Sequence, residues 1–167
     1  APCLAPSIMT KGSAAMDGYQ QASLKVEDYA ETLNILYSKL DAAGWPGASP
    51  EIAIVCGSGL GGLARSLDKV FLDVPYTDLP HFNPSTVVGH AGKLVFGTID
   101  GKGILIMVGR LHFYEGYSQR QTTFPITILC LMGIKMIILT NAAGGINLSY
   151  RKGDIMIIRD HINLPGI

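Results

Sequence analysis

The sequence predicts an α/β fold with a mixed, mostly buried β-sheet flanked by helices. Short apolar runs at residues 52–56, 135–140 and 154–159 are typical of strands covered on both faces. Segments with helical periodicity alternate with these runs, and glycine-rich loops follow several of them. Residues 93–99 and 104–108 are predicted to form a hairpin, because the Asp-Gly pair that separates them favours a tight turn.

Two amphipathic helices are predicted around the sheet. Residues 26–43 carry apolar side chains at helical spacing, and Gly44 provides a stop. A second helix is expected to begin at a capping box headed by Ser118 and to end near Gly133. Pro125 conflicts with this second helix, so we expect a kink or a late start there.

Composition limits the class of protein. Apolar residues make up 48% of the 167 residues and charged residues 16%, which indicates one compact folded domain. The formal net charge is zero, so the sequence offers no clustered positive charge for nucleic acid or an acidic membrane. The longest apolar stretch, residues 124–146, is interrupted by proline, glycine and polar residues and does not suit a membrane helix.

Location and domain limits follow from the cysteines and the N-terminal composition. Cys3, Cys56 and Cys130 are odd in number and lack metal-ligand spacing, which indicates buried or free thiols in a reducing, cytoplasmic setting. Residues 1–24 lack the basic and apolar regions of a signal peptide and are predicted to be a flexible leader. Residues 25–167 are predicted to belong to a single domain.

The loop at residues 57–62, GSGLGG, allows three interpretations. It matches the dinucleotide-binding pattern G-x-G-x-x-G between a strand and a predicted short helix at residues 60–67. An NAD- or FAD-binding enzyme would also need an acidic residue about 20 positions later, where Asp73 and Asp78 are the candidates. Alternatively, the glycines bring backbone N–H groups and the Ser58 hydroxyl close to an anion, or they only permit a tight turn.

A second candidate cluster directly follows the predicted strand 104–108. If the chain stays extended, Arg110, His112 and Tyr114 share one face, while Leu111 and Phe113 point into the core. Arginine holds phosphate through two parallel hydrogen bonds, and histidine can donate through either ring nitrogen. An oxyanion site is one interpretation, and a solvated strand end is the other.

Two more loops have the composition of ligand-binding loops. His90 is surrounded by glycine and small residues, which suits either a loop that closes over a ligand or an ordinary surface turn. Residues 141–145, NAAGG, follow the predicted strand 135–140 and offer backbone donors at its end. Because open α/β sheets bind ligands at strand ends, three such loops together favour a binding site.

Four segments together resemble the trimeric class of purine nucleoside phosphorylases. They are VCGSGLGGL, GRLHFYEGY, TNAAGGIN and GDIMIIRDHINLPG, at residues 55–63, 109–117, 140–147 and 153–166. The resemblance implies phosphorolysis of 6-oxopurine ribo- and deoxyribonucleosides, such as inosine and guanosine, to the free base and (deoxy)ribose 1-phosphate in purine salvage. It further implies that inorganic phosphate is a co-substrate, that no metal or organic cofactor is needed, and that the protein is a homotrimer.

The resemblance also assigns roles to individual residues. It implies that Glu115 orients His112 or the neighbouring loop, and that Arg110, His112 and Glu115 form the catalytic group. The phosphate ligands that it implies are Ser58, His90, Arg110, His112 and the backbone of Ala142. The residues that it places beside the ribose are Tyr114 and Asn141.

Family chains continue well beyond the point that matches Ile167, so the resemblance implies an N-terminal part of a phosphorylase domain, truncated at its C-terminus. The purine-recognising residues would lie in the absent part. An inactive phosphate-binding fragment or pseudoenzyme is therefore one alternative, with an exposed sheet edge where later strands would pair. A methylthioadenosine phosphorylase is a second alternative, although the loops of that family resemble GGTGL and TTACGSL instead.

Overall fold

The computed structural model describes residues 24–84 and 92–164. One mixed sheet forms the centre of this part of the chain. Its strands are β1 (Ile52–Cys56), β2 (Lys69–Pro75), β3 (Lys93–Ile99), β4 (Lys102–Val108) and β5 (Met136–Leu139). The α-helices are α1 (Val26–Ala42) and α2 (Gln119–Leu131), and short 3-10 turns cover Gly61–Ser66, Tyr76–Asp78 and Phe113–Glu115.

Strand order places the ends of three strands together. The order is β2-β3-β4-β1-β5, and β3 is antiparallel to both β2 and β4. β1 is parallel to both β4 and β5, and it lies between them. The carboxyl ends of β4, β1 and β5 therefore open at the same edge of the sheet, where α/β proteins place their ligands.

Both described α-helices pack on one face of the sheet. Leu36 and Leu40 of α1 and Phe124 and Ile128 of α2 are buried against the strands. The opposite face has a smaller core beneath the 3-10 turn Gly61–Ser66, and its buried side chains are Cys56, Leu67, Val95, Ile104, Ile106 and Val108. The predicted α/β class with a mixed sheet flanked by helices is confirmed, and the predicted strands 52–56 and 93–99 have the observed limits.

Helix limits also follow the capping and stop signals. α1 ends at Ala42, just before Gly44 adopts a positive φ of 69°. α2 begins directly after Ser118, whose hydroxyl accepts a hydrogen bond from the Gln121 N–H at 3.3 Å. A late start caused by Pro125 is wrong, because this residue lies buried inside the helix. The capping box and the burial of the neighbouring Phe124 offset the hydrogen bond that proline removes.

The predicted hairpin turn and the predicted free thiols are observed, and the second strand of the hairpin starts earlier than predicted. Asp100 and Gly101 both have positive φ, at 48° and 73°, as a two-residue type I′ turn requires. β4 starts at Lys102, two residues before the predicted position, because the tight turn brings it directly back onto β3. Cys56 and Cys130 are free thiols, and burial raises the pKa of the Cys56 thiol.

Three further expectations, about two segments and the limit of the leader, differ from the structure. The predicted helix 60–67 is the 3-10 turn Gly61–Ser66. The predicted strand 154–159 is not a strand: its apolar side chains are exposed, with Ile155 94% and Ile157 90% accessible, because no neighbouring strand pairs with it in the described residues. Leu24, assigned to the flexible leader, packs against the larger core, while the rest of that leader lies outside the described residues.

β5 forms one edge of the sheet in the described part of the chain, and much of its surface is uncovered. Met136 and Leu139 are 55% and 64% exposed. The chain after β5 has no helix or strand as far as residue 164, and every residue from Asn141 onward in this range is exposed. Neither α1 nor α2 is long and apolar enough to cross a membrane, within the residues that the structure covers.

Candidate anion-binding site

Three loops meet at the edge where the parallel strands end. One loop follows β1 and starts at Gly57, one follows β4 and starts at Gly109, and one follows β5 and starts at Thr140. β1 lies between the other two strands, so the glycine loop forms the centre of the group. This strand order brings together three segments that the sequence predicted as candidates: the loops 57–62 and 141–145 and the segment of Arg110.

Thr140 joins the glycine loop to the end of β5. Its hydroxyl accepts a hydrogen bond from the Gly57 N–H at 3.0 Å and donates one to the Val55 carbonyl at 2.9 Å. A Cβ atom on residue 57 would lie 2.6 Å from the Thr140 carbonyl oxygen and 3.0 Å from the Asn141 Cα. Glycine is therefore required at position 57 for close approach of two backbones, and not only for a turn.

Arg110 connects its own loop to the loop that follows β5. Its Nη1 donates to the Thr140 carbonyl at 3.3 Å, and its Nε donates to Nε2 of His112 at 3.5 Å. The guanidinium is partly buried, so its positive charge is only partly screened by water. These contacts hold a fixed cation beside the Asn141 loop, where an anion could bind.

Tyr76 holds the start of the Arg110 loop through a buried hydrogen bond. Its hydroxyl donates to the Gly109 carbonyl at 2.7 Å, and only 1% of the residue is exposed. Gly109 adopts a φ of 93°, which favours glycine and turns the chain out of β4. Burial raises the pKa of Tyr76 far above its usual range, with a smaller contribution from the nearby Cys56. The hydroxyl therefore remains a hydrogen-bond donor at neutral pH.

His112 and Glu115 form a largely buried pair at the start of the 3-10 turn Phe113–Glu115. The Glu115 Oε1 accepts from the His112 backbone N–H at 2.8 Å and lies 3.0 Å from its Nδ1. Because a carboxylate only accepts, we assign the proton to Nδ1, which leaves Nε2 facing Arg110. The side chains are 15% and 2% exposed, so the imidazole is held in one orientation.

Tyr114 covers the outer side of the His112 ring. The predicted burial of the neighbouring Phe113 is wrong. The Tyr114 ring stacks on His112 with centroids 4.8 Å apart and an angle of 19°, and the residue is 75% exposed. Leu111 is buried as predicted, but Phe113 is 53% exposed and does not enter the core. The cause is the 3-10 turn, which replaces the extended chain that the alternation argument assumed.

The remaining predicted site residues lie on the loops themselves. Ser58 is exposed on the glycine loop, and Asn141 and Ala142 are exposed on the loop after β5. Asn141 is adjacent to Gly57 through the backbone contact described above. His90 lies outside the described residues. The structure thus brings Ser58, Arg110, His112, Glu115, Tyr114, Asn141 and Ala142 to one edge of the sheet.

Sequence reasoning missed several residues at this edge. A groove of about 420 Å³ opens beside the glycine loop, and the cationic side chains of Arg65 and Lys93 line it. Lys93 is paired with Asp73 on the adjacent strand β2. Thr140 was also missed as a contact residue, although a hydroxyl residue directly after an apolar strand is a usable signal. Tyr76 had no such signal, since its partner is 33 residues away along the chain.

The dinucleotide interpretation of the glycine loop does not fit the topology. That fold requires a strand, a helix and a second parallel strand in succession. Here the loop leads into the 3-10 turn Gly61–Ser66 and then into β2, which is antiparallel to β3 at the far edge of the sheet. Asp73 lies on β2, which is separated from β1 by two other strands, and is not at the end of a parallel strand beside β1 as that fold requires.

Known proteins with similar sequences and structures agree on one family. Residues 51–167 match the phosphorylase superfamily. The purine nucleoside phosphorylase of Bos taurus is 46% identical over 140 residues, which cover 84% of this chain and 46% of that protein. Purine nucleoside phosphorylase 1 of Bacillus subtilis is 50% identical over 118 residues, which cover 71% of this chain and 43% of that protein.

Solved structures show the same relationship. The Schistosoma mansoni purine nucleoside phosphorylase in complex with inosine superposes with a TM-score of 0.72 and 39% identity, over 87% of this chain and 48% of that one. A purine nucleoside phosphorylase in complex with ribose-1-phosphate gives a TM-score of 0.66 and 40% identity, over 80% and 46%. The chain spans about half the length of the relatives that it matches. On its sequence and its fold, this chain belongs to the phosphorylase superfamily.

Proposed function

We propose that this chain provides the phosphate-binding part, and a portion of the ribose-binding part, of a purine nucleoside phosphorylase. The observation that carries the proposal is the convergence of Arg110, the His112–Glu115 pair and the glycine loop at one sheet edge. A partly buried cation beside backbone N–H donors suits a small oxyanion. Relatives named as purine nucleoside phosphorylases, and a structural neighbour in complex with ribose-1-phosphate, support phosphate as that anion.

The proposed reaction is phosphorolysis of 6-oxopurine nucleosides and their deoxy forms. A phosphate oxygen forms a bond to the anomeric carbon while the N-glycosidic bond breaks and its electron pair leaves with the base, which takes up a proton. Such substitutions pass through an oxocarbenium-like transition state. A phosphate anion held against the sugar stabilises this developing positive charge. The products are the free base and (deoxy)ribose 1-phosphate.

Within this proposal, each residue has a defined role. Arg110 supplies countercharge to the phosphate and, through its contact with Thr140, is fixed in place before the anion binds. Glu115 fixes the imidazole of His112 beside Arg110, at the place proposed for the anion. Ser58 and the Ala142 backbone provide further donors. His90 is the fifth proposed phosphate ligand.

On the sugar side, Tyr114 is proposed to contact the ribose from its position over His112, and Asn141 from its position beside the glycine loop. The proposed reaction uses inorganic phosphate as co-substrate and needs no metal or organic cofactor. The family resemblance also supports a cytoplasmic location and a homotrimeric assembly as parts of the proposal. Analytical ultracentrifugation would measure the assembly.

Arg110→Ala is the direct test. We expect the apparent phosphate KM to rise and turnover to fall, each by about tenfold or more, equivalent to about 1.4 kcal/mol or more. Arg120→Ala, which removes an exposed arginine on α2, is the matched control and should leave both values unchanged. Unchanged phosphate kinetics in Arg110→Ala would contradict the assignment.

A second measurement separates the enzyme from the inactive-fragment alternative. The purified protein is assayed for phosphate-dependent release of hypoxanthine from inosine, and its intact mass and phosphate affinity are measured on the same sample. An intact mass near 17.8 kDa with phosphate binding but no base release would favour the inactive phosphate-binding form. Release of adenine from methylthioadenosine instead of hypoxanthine from inosine would favour the methylthioadenosine branch. Absence of phosphate binding would overturn the proposal.

A further inference from the structure

We propose that Thr140 is a positioning residue that sets the geometry of the phosphate site without binding phosphate itself. The inference rests on the function proposed above. Thr140 is the first residue after β5. Its side chain contacts the glycine loop at Gly57, and its backbone carbonyl contacts Arg110 on the loop that follows β4. Thr140 therefore couples the position of the glycine loop to the position of the Arg110 guanidinium.

The single proton of the Thr140 hydroxyl is used inside the protein. It accepts from the Gly57 N–H and donates to the Val55 carbonyl, at 3.0 Å and 2.9 Å. A hydroxyl has one proton to donate, so the donation to Val55 leaves Thr140 without a donor for an anion. Any effect of the side chain on phosphate affinity must then pass through the position of the glycine loop.

The backbone carbonyl of Thr140 supplies the second connection. It accepts from Arg110 Nη1 at 3.3 Å. The same oxygen lies where a side chain on residue 57 would collide with it, at 2.6 Å from the calculated Cβ position. A shift of Thr140 consequently moves both the cation and the glycine loop, and it changes the distance between them.

Threonine suits this position better than its nearest alternatives. Its β-branched side chain restricts χ1, so the hydroxyl is held towards Val55 and Gly57. Valine has almost the same shape but no hydroxyl, and it would leave a partly buried N–H without its partner. Serine keeps the hydroxyl with a freer side chain. The pair Thr140→Val and Thr140→Ser therefore separates hydrogen bonding from packing.

The experiment measures binding of inorganic phosphate by isothermal titration calorimetry, together with the thermal midpoint of each variant. We expect Thr140→Val to weaken phosphate binding by about tenfold or more and Thr140→Ser to stay within roughly threefold of the parent protein. Thr123→Val removes the hydroxyl of an exposed threonine on α2, which donates to the Gln119 carbonyl within the same helix, and should leave the affinity unchanged. Where nucleoside turnover is measurable, the phosphate KM should rise more than the nucleoside KM.

The outcomes are distinguishable from failure of the proposed function. If Arg110→Ala binds phosphate as tightly as the parent, the proposed function is wrong. If Arg110→Ala loses binding but Thr140→Val keeps it, only the role of Thr140 is wrong. Equal loss of affinity in Thr140→Val and Thr140→Ser would also overturn it, because the retained hydroxyl would then have no effect.

A measurement on the parent protein covers the case in which Thr140→Val does not fold. Hydrogen exchange of the Gly57 amide reports directly on its bond to Thr140. If that bond and the anion site are coupled, saturating phosphate should slow this exchange by about tenfold or more. Exchange of the Gly57 amide that is unchanged by phosphate would contradict the coupling.

Discussion

Tyr76 offers a quantitative test of how the fold supports the site. Its buried hydroxyl donates to the Gly109 carbonyl, one residue before Arg110, at 2.7 Å. Tyr76→Phe removes one oxygen atom and leaves the ring in place against Phe82. The substitution therefore removes the hydrogen bond with little change in packing.

Two effects on stability can be worked out. Loss of the donor leaves a buried carbonyl unsatisfied, which costs about 1–3 kcal/mol at neutral pH. The second effect concerns alkaline pH, because burial raises the pKa of folded Tyr76 while the unfolded tyrosine ionises near its ordinary value of about 10. Above that pH the unfolded state loses a proton that the folded state keeps. The contribution of Tyr76 is thus fully present below pH ~10 and falls by up to about 1.4 kcal/mol per pH unit above it.

Urea denaturation between neutral pH and pH 11 measures both effects. We expect Tyr76→Phe to be less stable than the parent at neutral pH and to lose stability less steeply above pH ~10. Tyr150→Phe, at a half-exposed tyrosine, is the matched control and should follow the parent. Parallel pH profiles for Tyr76→Phe and the parent would refute the reasoning, because the alkaline slope could not then come from Tyr76.

Three further predictions concern the site and the core. Gly57→Ala places a methyl group 2.6 Å from a backbone oxygen and should cost about 1–3 kcal/mol in urea unfolding, whereas Gly144→Ala meets open space and should cost far less. Glu115→Gln removes the carboxylate that fixes His112, and it should weaken phosphate binding measured by calorimetry by roughly tenfold, with a similar thermal midpoint. Phe124→Ala empties a fully buried position and should lower the unfolding free energy by about 3–5 kcal/mol, and a loss below 1 kcal/mol would contradict its place in the core.

Local sequence signals predicted the elements that depend on neighbours along the chain. Residues 52–56 were recognised as a strand because every side chain is apolar, and the hairpin turn because Asp-Gly tolerates positive φ. The start of α2 follows from Ser118 and Gln121, which bond to each other within one turn. These features need no distant partner, so sequence patterns reveal them.

The errors concern features that need a distant partner. β2 was missed because its sequence, KVFLDVP, includes charged residues and a proline that suit an exposed edge strand. Residues 154–159 are apolar enough for a strand but have no strand beside them in the described chain. Phe113 was placed in the core by strand alternation, which the 3-10 turn after His112 interrupts.

By itself, the sequence determined the chemical groups of the candidate site: the glycine loop, Arg110, His112 with Glu115, and the Asn141 loop. Only the tertiary structure decided that they meet, because β1 lies between β4 and β5 and the parallel strands end at one edge. It also decided which atoms hold them, since the bonds of Thr140 to Gly57 and of Tyr76 to Gly109 join residues far apart in the chain. Residue type and spacing are local properties, whereas strand order and long-range hydrogen bonds arise from packing of the whole sheet.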